Sequence, residues 1–224
     1  MVRFEFAEGA AALKSGTTEP DASGDAPGVS LRMLSFEAMG TARRLHHSYE
    51  HYLGALEHST VKLEYCDGEI YAMAGGTPAH AELAASVIGL LRNALRGRCS
   101  VYSSDLKIRI DATDLTTFPD VSVVCGEATA SAIDKDAITN PTLLVEVTST
   151  STEDYDRGNK LSHYKQLPSL AAIAFVSHKR RSVTVVRRTA AGWEENDFHA
   201  GESVTLDVLG VSWSIDEIYE GITL

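Results

Sequence analysis

No run of about 18 apolar residues occurs in the sequence, so it offers no candidate membrane-spanning helix. The first residues also lack the apolar core of a secretory signal. Cysteine is scarce: Cys66, Cys99 and Cys125 are odd in number, show no C-x-x-C spacing, and each lies in or beside an apolar strand. They read as buried free thiols of a reducing compartment. These absences together lead us to expect a cytoplasmic protein with no membrane partner. Positive charge is also short, with 20 basic residues against 31 acidic ones and a net charge of −11. That balance argues against a surface that is basic all over, so any phosphate-binding groove must come from local clusters. Two exist: Arg92, Arg96, Arg98, Lys107 and Arg109, then Lys179, Arg180, Arg181, Arg187 and Arg188. Their plainer reading is the solvated face of a helix and of a hairpin. No internal repeat is visible.

What is present is ordinary for a globular domain, with 44% hydrophobic and 23% charged residues in a chain of 224. That length suffices for one large α/β domain, or for a domain with an appendage. The informative stretch is Pro141-Thr142-Leu143-Leu144-Val145-Glu146-Val147-Thr148-Ser149. A short unbroken apolar run, rich in branched residues, reads as a strand buried on both faces. Glu146 sits in its middle, and a carboxylate there is costly unless a metal, a cation or several donors compensate. Phe118-Pro119-Asp120-Val121-Ser122-Val123-Val124-Cys125 repeats the pattern, with an acid after a proline leading into another buried strand. Thr152 to Gln166 reads as a helix with Asp156, Lys160 and Tyr164 four residues apart on one face. Its capping signals are Ser149 to Thr152, followed by Glu153 and Asp154. Asp156 and Lys160 are either a surface i,i+4 pair or part of a site.

Residues 1–47 read as a partly flexible N-terminal extension, rich in small and polar residues. Residues 48–224 read as a single domain. His46, His47, His51 and His58 lack a convincing set of co-ligands and read as surface histidines. Asp67-Gly68 between Val61–Tyr65 and Glu69–Met73 signals a hairpin. Glu64 and Glu69 on its strands are either solvent-facing acids or further acids beside a metal. Thr77 and Pro78 start a helix whose apolar stripe is Leu83, Val87, Leu90, Leu91, Ala94 and Leu95, with Gly97 as its stop. His80 in its first turn is either a packing histidine or an orienting group for a carboxylate or phosphate. Ser100 to Asp111 alternates like one long half-buried strand on which Lys107 is exposed. Ser131 to Ala137 suggests a short helix. An added hairpin over Ser182–Arg188 and Trp193–His199 follows, with a strand from Leu206 to Trp213 and a closing helix from Ile215.

Pro119-Asp120, then Glu146-Val147-Thr148, then Lys160 resembles the PD-(D/E)XK nuclease superfamily. More narrowly, the chain is similar to the Uma2 (DUF820) restriction-endonuclease-like proteins over roughly Tyr49 to Gly221. That likeness rests on Glu64-Tyr65-Cys66-Asp67-Gly68-Glu69-Ile70, His80, Pro119-Asp120-Val121, Leu144 to Ser149, and Asp156 with Lys160 and Tyr164. The lysine expected two residues after the glutamate is Thr148 here, and Lys160 would serve from the helix. The resemblance implies an α/β (α+β) fold: a restriction-endonuclease-like core with a mixed central β-sheet flanked by helices, plus extra β-hairpins. It implies catalytic Asp120, Glu146 and Lys160, with Asp120, Glu146 and the Val147 carbonyl holding Mg2+ or Mn2+. Glu64, Glu69, His80, Asp156 and Tyr164 would support them.

Phosphodiester hydrolysis needs an activated water and compensation of the charge on the phosphoryl oxygens. A hard divalent cation held by carboxylates, with a nearby lysine, supplies both. The leading expectation is therefore a metal-dependent endonuclease acting on DNA. The alternatives are a catalytically silent nucleic-acid- or protein-binding module on the same scaffold, and some other metal-dependent hydrolase. A homodimer through the terminal hairpin is also an expectation.

Overall fold

The computed structural model describes residues 2–3, 46–73, 75–148 and 156–224. The chain divides into two units, Met1–Phe4 with His46–Leu224, and Glu5–Leu45. The second unit lies outside the described residues, and with it most of the expected extension over residues 1–47.

The Glu146 segment forms strand β9 (Leu143–Thr148), and all six of its residues are buried. Each face is covered, as a continuous apolar run demands. Along one side β9 pairs in parallel with β10 (Ala172–Ser177), which sets Phe175 opposite Glu146. Along the other it pairs antiparallel with β7 (Val121–Cys125), which sets Val121 opposite Val145. Strands β11 (Ser182–Thr189) and β12 (Gly192–His199) extend one edge, and β4 (Cys99–Ser103) closes the other. Among the described residues the order is β12-β11-β10-β9-β7-β4, a mixed six-stranded sheet.

Alternation sorts the side chains of β9 to two cores. Leu143, Val145 and Val147 join Val121, Val123 and Ala174 beneath helix α2 (Pro78–Ala94). That helix presents Leu83, Val87 and Leu91 to the sheet, followed by Leu95 just past its end. Truncating a fully buried leucine of this stripe to alanine costs about 2–5 kcal/mol. Leu144 faces the opposite way, into a cluster with Ile173, Phe175, Leu161 and Tyr164. Glu146, two residues on, shares that second face. A hairpin of β13 (Ser203–Leu206) and β14 (Val211–Ser214), with the short helix α4 (Ile215–Ile218), closes the α2 side.

A second sheet brings further polar groups to the Glu146 face. Its order among the described residues is β1-β3-β2-β6-β5-β8: Val2–Arg3, Glu69–Ala72, Leu63–Cys66, Leu115–Thr117, Lys107–Ile110 and Ala137–Ile138. The β2–β3 turn has φ 45° at Asp67 and 81° at Gly68. Two successive positive φ values are what the tight hairpin requires and what Asp-Gly tolerates. Helix α1 (Tyr49–His58) packs Tyr49 and Tyr52 against this sheet beside Leu63 and Tyr65. No helix of the described residues is long and apolar enough to cross a membrane.

The fold is thus mixed α/β with several sheets and few helices, in line with the expected architecture, while several local readings need correction. Ser100 to Asp111 is not one strand: β4 and β5 lie in different sheets, with Ser104 to Leu106 turning between them. Lys107 is buried and pairs with Asp134 at 2.6 Å. Arg109 is likewise buried, paired to Asp111 and Asp114 and stacked on Tyr49. Neither can therefore belong to a solvated basic cluster. Ala137–Ile138 forms β8, where a short helix was expected. The strand expected from Leu206 to Trp213 is a hairpin broken by a 3-10 turn at Asp207–Leu209. The largest correction concerns the thiols: Cys99 and Cys125 sit opposite each other on β4 and β7 and form a disulfide, leaving Cys66 free.

Candidate active site

The residues leading to Lys160 form a π-type turn, Asp156–Lys160, which runs into helix α3 (Leu161–Tyr164). A π turn carries one residue more than an α turn and re-aims the side chains that follow it. Lys160 and Tyr164, four residues apart, both reach Glu146 Oε1 as that spacing implies. The Asp156 side chain lies outside the described residues, as do the expected capping residues Ser149 to Asp154. Lys160 and Tyr164 both point inward and are buried.

Lys160 Nζ lies 3.0 Å from Glu146 Oε1 and 3.3 Å from Glu64 Oε1. The three side chains are only 4%, 5% and 2% exposed. One lysine thus pairs with two buried acids, in keeping with the rule that buried charged groups are paired. Hydroxyl donors complete it: Tyr164 donates to Glu146 Oε1, and Thr117 donates to Glu64 Oε1. The Phe118 N–H adds a longer contact to the same Glu64 oxygen, at 3.4 Å. Burial and the neighbouring Glu146 charge push the Tyr164 phenol well above its usual range, so it is a fixed donor and not an acid.

Asp120 stands where β7 meets the C-terminal end of β9. Continuing the printed register by two residues sets Pro119 opposite Val147. Proline has no N–H, so the ladder stops there and the Val147 peptide needs other partners. The Asp120 carboxylate supplies one, accepting from Val147 N at 2.7 Å through Oδ2. The Val147 carbonyl points to the same side of the strand as its N–H and lacks the ladder donor that a non-proline residue would provide. Pro119-Asp120 therefore ends a strand pairing and at the same time presents two oxygens, a carboxylate and a peptide carbonyl, beside Glu146.

His80 reaches this point from the first turn of α2, whose cap is Thr77, accepting from His80 N at 3.2 Å. Its Nε2 lies 3.2 Å from Asp120 Oδ2. The hydrogen bond to Asp120 raises the imidazole pKa against the opposing effect of burial. The charges of Asp120 and Glu146 and a backbone hydrogen bond at Val147 act in the same direction.

Most of the expected residues thus fall into two groups. Asp120, the Val147 peptide and His80 converge at the more open end, and Glu146, Lys160, Glu64 and Tyr164 converge at the buried end. Glu69 shares Glu64's face of the hairpin but lies two residues further along, opposite Cys66, where it accepts from the Tyr71 hydroxyl. Thr117 was missed by sequence reading, since a threonine in a strand carries no signal for its partner. Arg157 was missed as well; it lies over the Phe175 ring and donates to Thr184 Oγ1 at 2.6 Å.

The donor set suits a hard divalent cation, because carboxylate and carbonyl oxygens are what Mg2+ and Mn2+ take. Among the described residues no three His, Cys, Asp or Glu side chains form a metal-holding group by themselves. The Val147 carbonyl, which faces Pro119 and so lacks a ladder donor there, is the structural observation that favours the fit.

Over residues 47–217 the chain matches the Uma2 family, described as "Putative restriction endonuclease". The chain belongs to the Uma2 family. It is 38% identical over 177 residues to an uncharacterized protein of Synechocystis sp., covering 78% of this chain and 92% of that protein. A second uncharacterized Synechocystis protein is 32% identical over 120 residues, covering 53% of this chain and 68% of the relative. Among solved structures, a protein of Anabaena variabilis described as "a putative nuclease belonging to DUF820" superposes with a TM-score of 0.64. The match covers 78% of this chain and 98% of that one at 15% identity, a likeness of fold. The matched span contains Glu64, His80, Asp120, Glu146, Lys160 and Tyr164.

Proposed function

We propose that this Uma2 protein is a metal-dependent endonuclease that hydrolyses DNA phosphodiester bonds. The observation that carries the reading is the convergence of Asp120 and the Val147 peptide with Glu146 at adjoining strand ends, with Lys160 Nζ 3.0 Å from Glu146 Oε1. Asp120, Glu146 and the Val147 carbonyl would hold Mg2+ or Mn2+. When bound, such an ion supplies Lewis-acid compensation of phosphoryl charge and lowers the pKa of water. Lys160, held between Glu64 and Glu146, would offer positive charge to the phosphoryl oxygens, a preorganised electrostatic contribution. Tyr164 and Thr117 hold the two glutamates in place through their hydroxyls. His80 fixes the Asp120 carboxylate, so that Oδ2 is oriented before substrate arrives.

The test is Mn2+ calorimetry near neutral pH with the wild type, Asp120→Ala and Glu146→Ala, alongside Mn2+-dependent cleavage of supercoiled and linear DNA. We expect binding and cleavage in the wild type and loss of both in either variant that remains folded. Cleavage that persists unchanged in folded Glu146→Ala would overturn the site. Nucleic-acid binding that ignores both substitutions, with no cleavage, would favour the silent binding module.

A further inference from the structure

We propose that Arg180 and Arg157 form a track beside the Asp120–Glu146 site that grips the phosphate backbone of DNA. This rests on the nuclease reading and deepens it, since it names the surface that holds the substrate.

Two observations carry it. The first is where the connection between β10 and β11, residues 178–181, is fastened. His178 N donates to the Thr148 carbonyl at 3.4 Å, and the His178 ring bonds the same oxygen through Nδ1. Thr148 ends β9, two residues past Glu146 and one past Val147. The run His178-Lys179-Arg180-Arg181 therefore stands beside the more open end of the site. Arg181 turns toward α4, where it meets Asp216 at 3.6 Å. Arg180 turns the other way, and its Nε donates to Ser182 Oγ at 3.2 Å. Arg180 is exposed, and among the described residues no carboxylate pairs with it.

The second is a row of side chains across the sheet. Register sets Glu146 opposite Phe175, Phe175 opposite Thr184, and Thr184 opposite Asp197, so these four share one face. Arg157 lies along this row. Its guanidinium is 5.5 Å from the centre of the Phe175 ring, and Nη2 donates to Thr184 Oγ1, which in turn donates to Asp197. Ring and hydroxyl together fix the plane of the guanidinium. Nη1 reaches Glu195 only at 3.4 Å, in a pair whose side chains are 32% and 53% exposed. So exposed a pair is worth at most about 1 kcal/mol, and a phosphate oxygen can take the place of Glu195.

Alternation puts Ser182 and Thr184 on the same face of β11, about 7 Å apart at about 3.4 Å per residue. The two guanidinium groups anchored there meet different phosphates. The planar fork of arginine suits phosphate oxygens, and contacts of this kind position a duplex without reading its bases. In a chain of net charge −11, such a local pair of cations is what a polyanion requires. Glu195 and Asp197 on β12 bound the track on its outer side.

The experiment uses the full chain and a short labelled DNA duplex, with Ca2+ in place of Mn2+ so that bound DNA is not cut. Anisotropy gives the association constant across a sodium chloride series, and calorimetry gives the Mn2+ affinity. Arg157→Gln, Arg180→Gln, their combination, Arg157→Lys and Arg187→Gln are compared with the wild type, with melts confirming that each is folded. Arg187 pairs with Glu194 and Asp207 toward the other end of β11 and serves as the control. Each phosphate contact contributes about 0.9 to the slope of log K against log salt. We expect the slope to become shallower by about 0.9 in each glutamine variant and by about 1.8 in their combination. It should hold in Arg157→Lys and Arg187→Gln, and the Mn2+ affinity should stay the same throughout. A wild type that binds and cleaves DNA while the double variant keeps its slope, or a control that loses as much, overturns the track and leaves the nuclease reading standing. The expected slopes without any cleavage under Mn2+ support the track and overturn the nuclease reading. No measurable binding by the wild type overturns the track, and absence of cleavage as well overturns both.

Discussion

Replacing Lys160 by methionine keeps the length of the side chain and removes its charge. It leaves Glu64 and Glu146 facing one another in a space where each is at most 5% exposed. Each carboxylate retains a hydroxyl donor, Thr117 or Tyr164, but no counter-charge from this lysine. Breaking a buried ion pair by removing one partner costs about 3–5 kcal/mol, because the remaining charge is desolvated and uncompensated. In a chain of this size, 1 kcal/mol corresponds to about 2–4 °C in melting temperature. Lys160→Met should therefore lower the midpoint by about 6–20 °C when measured with EDTA near pH 7.5. Adding Glu64→Gln to the variant should recover part of the loss, since one of two repelling charges is gone; a coupling of about 0.5–3 kcal/mol is usual for residues in contact. A single variant within about 1 kcal/mol of the wild type would refute the reasoning, because that is what a solvent-exposed ion pair gives.

Two further outcomes follow from other parts of the fold. The disulfide spans a sequence separation of 26, and closing such a loop restricts the unfolded chain by about 3.5 kcal/mol. Urea unfolding of a Cys99→Ser/Cys125→Ser double variant should show a loss of that order, and a loss below about 1 kcal/mol would mean that the bond does not constrain the protein in solution. For Asp134, burial alone would raise the carboxyl pKa, but hydrogen bonds from Lys107, the Asp136 N–H and the Tyr49 hydroxyl outweigh it and leave the pKa lowered. A lowered folded-state pKa gives stability that is present above the unfolded value, about 3.9, and is lost as pH falls through the folded one. Wild-type stability should thus drop more steeply below about pH 4 than that of Asp134→Asn, as read from urea midpoints across a pH series; parallel slopes would contradict the assignment.

The parts of the site that could be read in the sequence are those encoded locally. Glu146 stood out because a carboxylate interrupts an apolar run, and Asp120 because it follows a proline at the entry to another buried strand. The α2 stripe and the Asp67-Gly68 turn were equally plain, since periodicity and positive φ are properties of neighbouring residues. What escaped was set by register and by distance. Ser100 to Asp111 alternates continuously, so nothing marks the turn that sends β4 and β5 to different sheets. Lys107 looked exposed because its partner, Asp134, is far along the chain, and Thr117 shows its role only through Glu64. Cys99 meets Cys125 only once β4 and β7 are aligned. The π turn before Lys160 depends on a one-residue change in hydrogen bonding that composition does not carry.

The shortage of positive charge, which left any phosphate-binding groove to local clusters, takes a different meaning at the site. Glu64 and Glu146 pair with Lys160, and Asp120 stands at the neighbouring end of the site, so these four side chains carry a formal charge of −2. In that state the site repels a phosphodiester, whatever the rest of the surface carries. A divalent cation would bring the group to neutrality, and a phosphate could then approach without facing an excess of negative charge. The acidic surface beyond would still weaken encounter with DNA, and more so at low ionic strength, where screening is least. The net charge of −11 therefore bears on how fast such a substrate is met. Whether it can be held is decided by the few groups around Asp120 and Glu146.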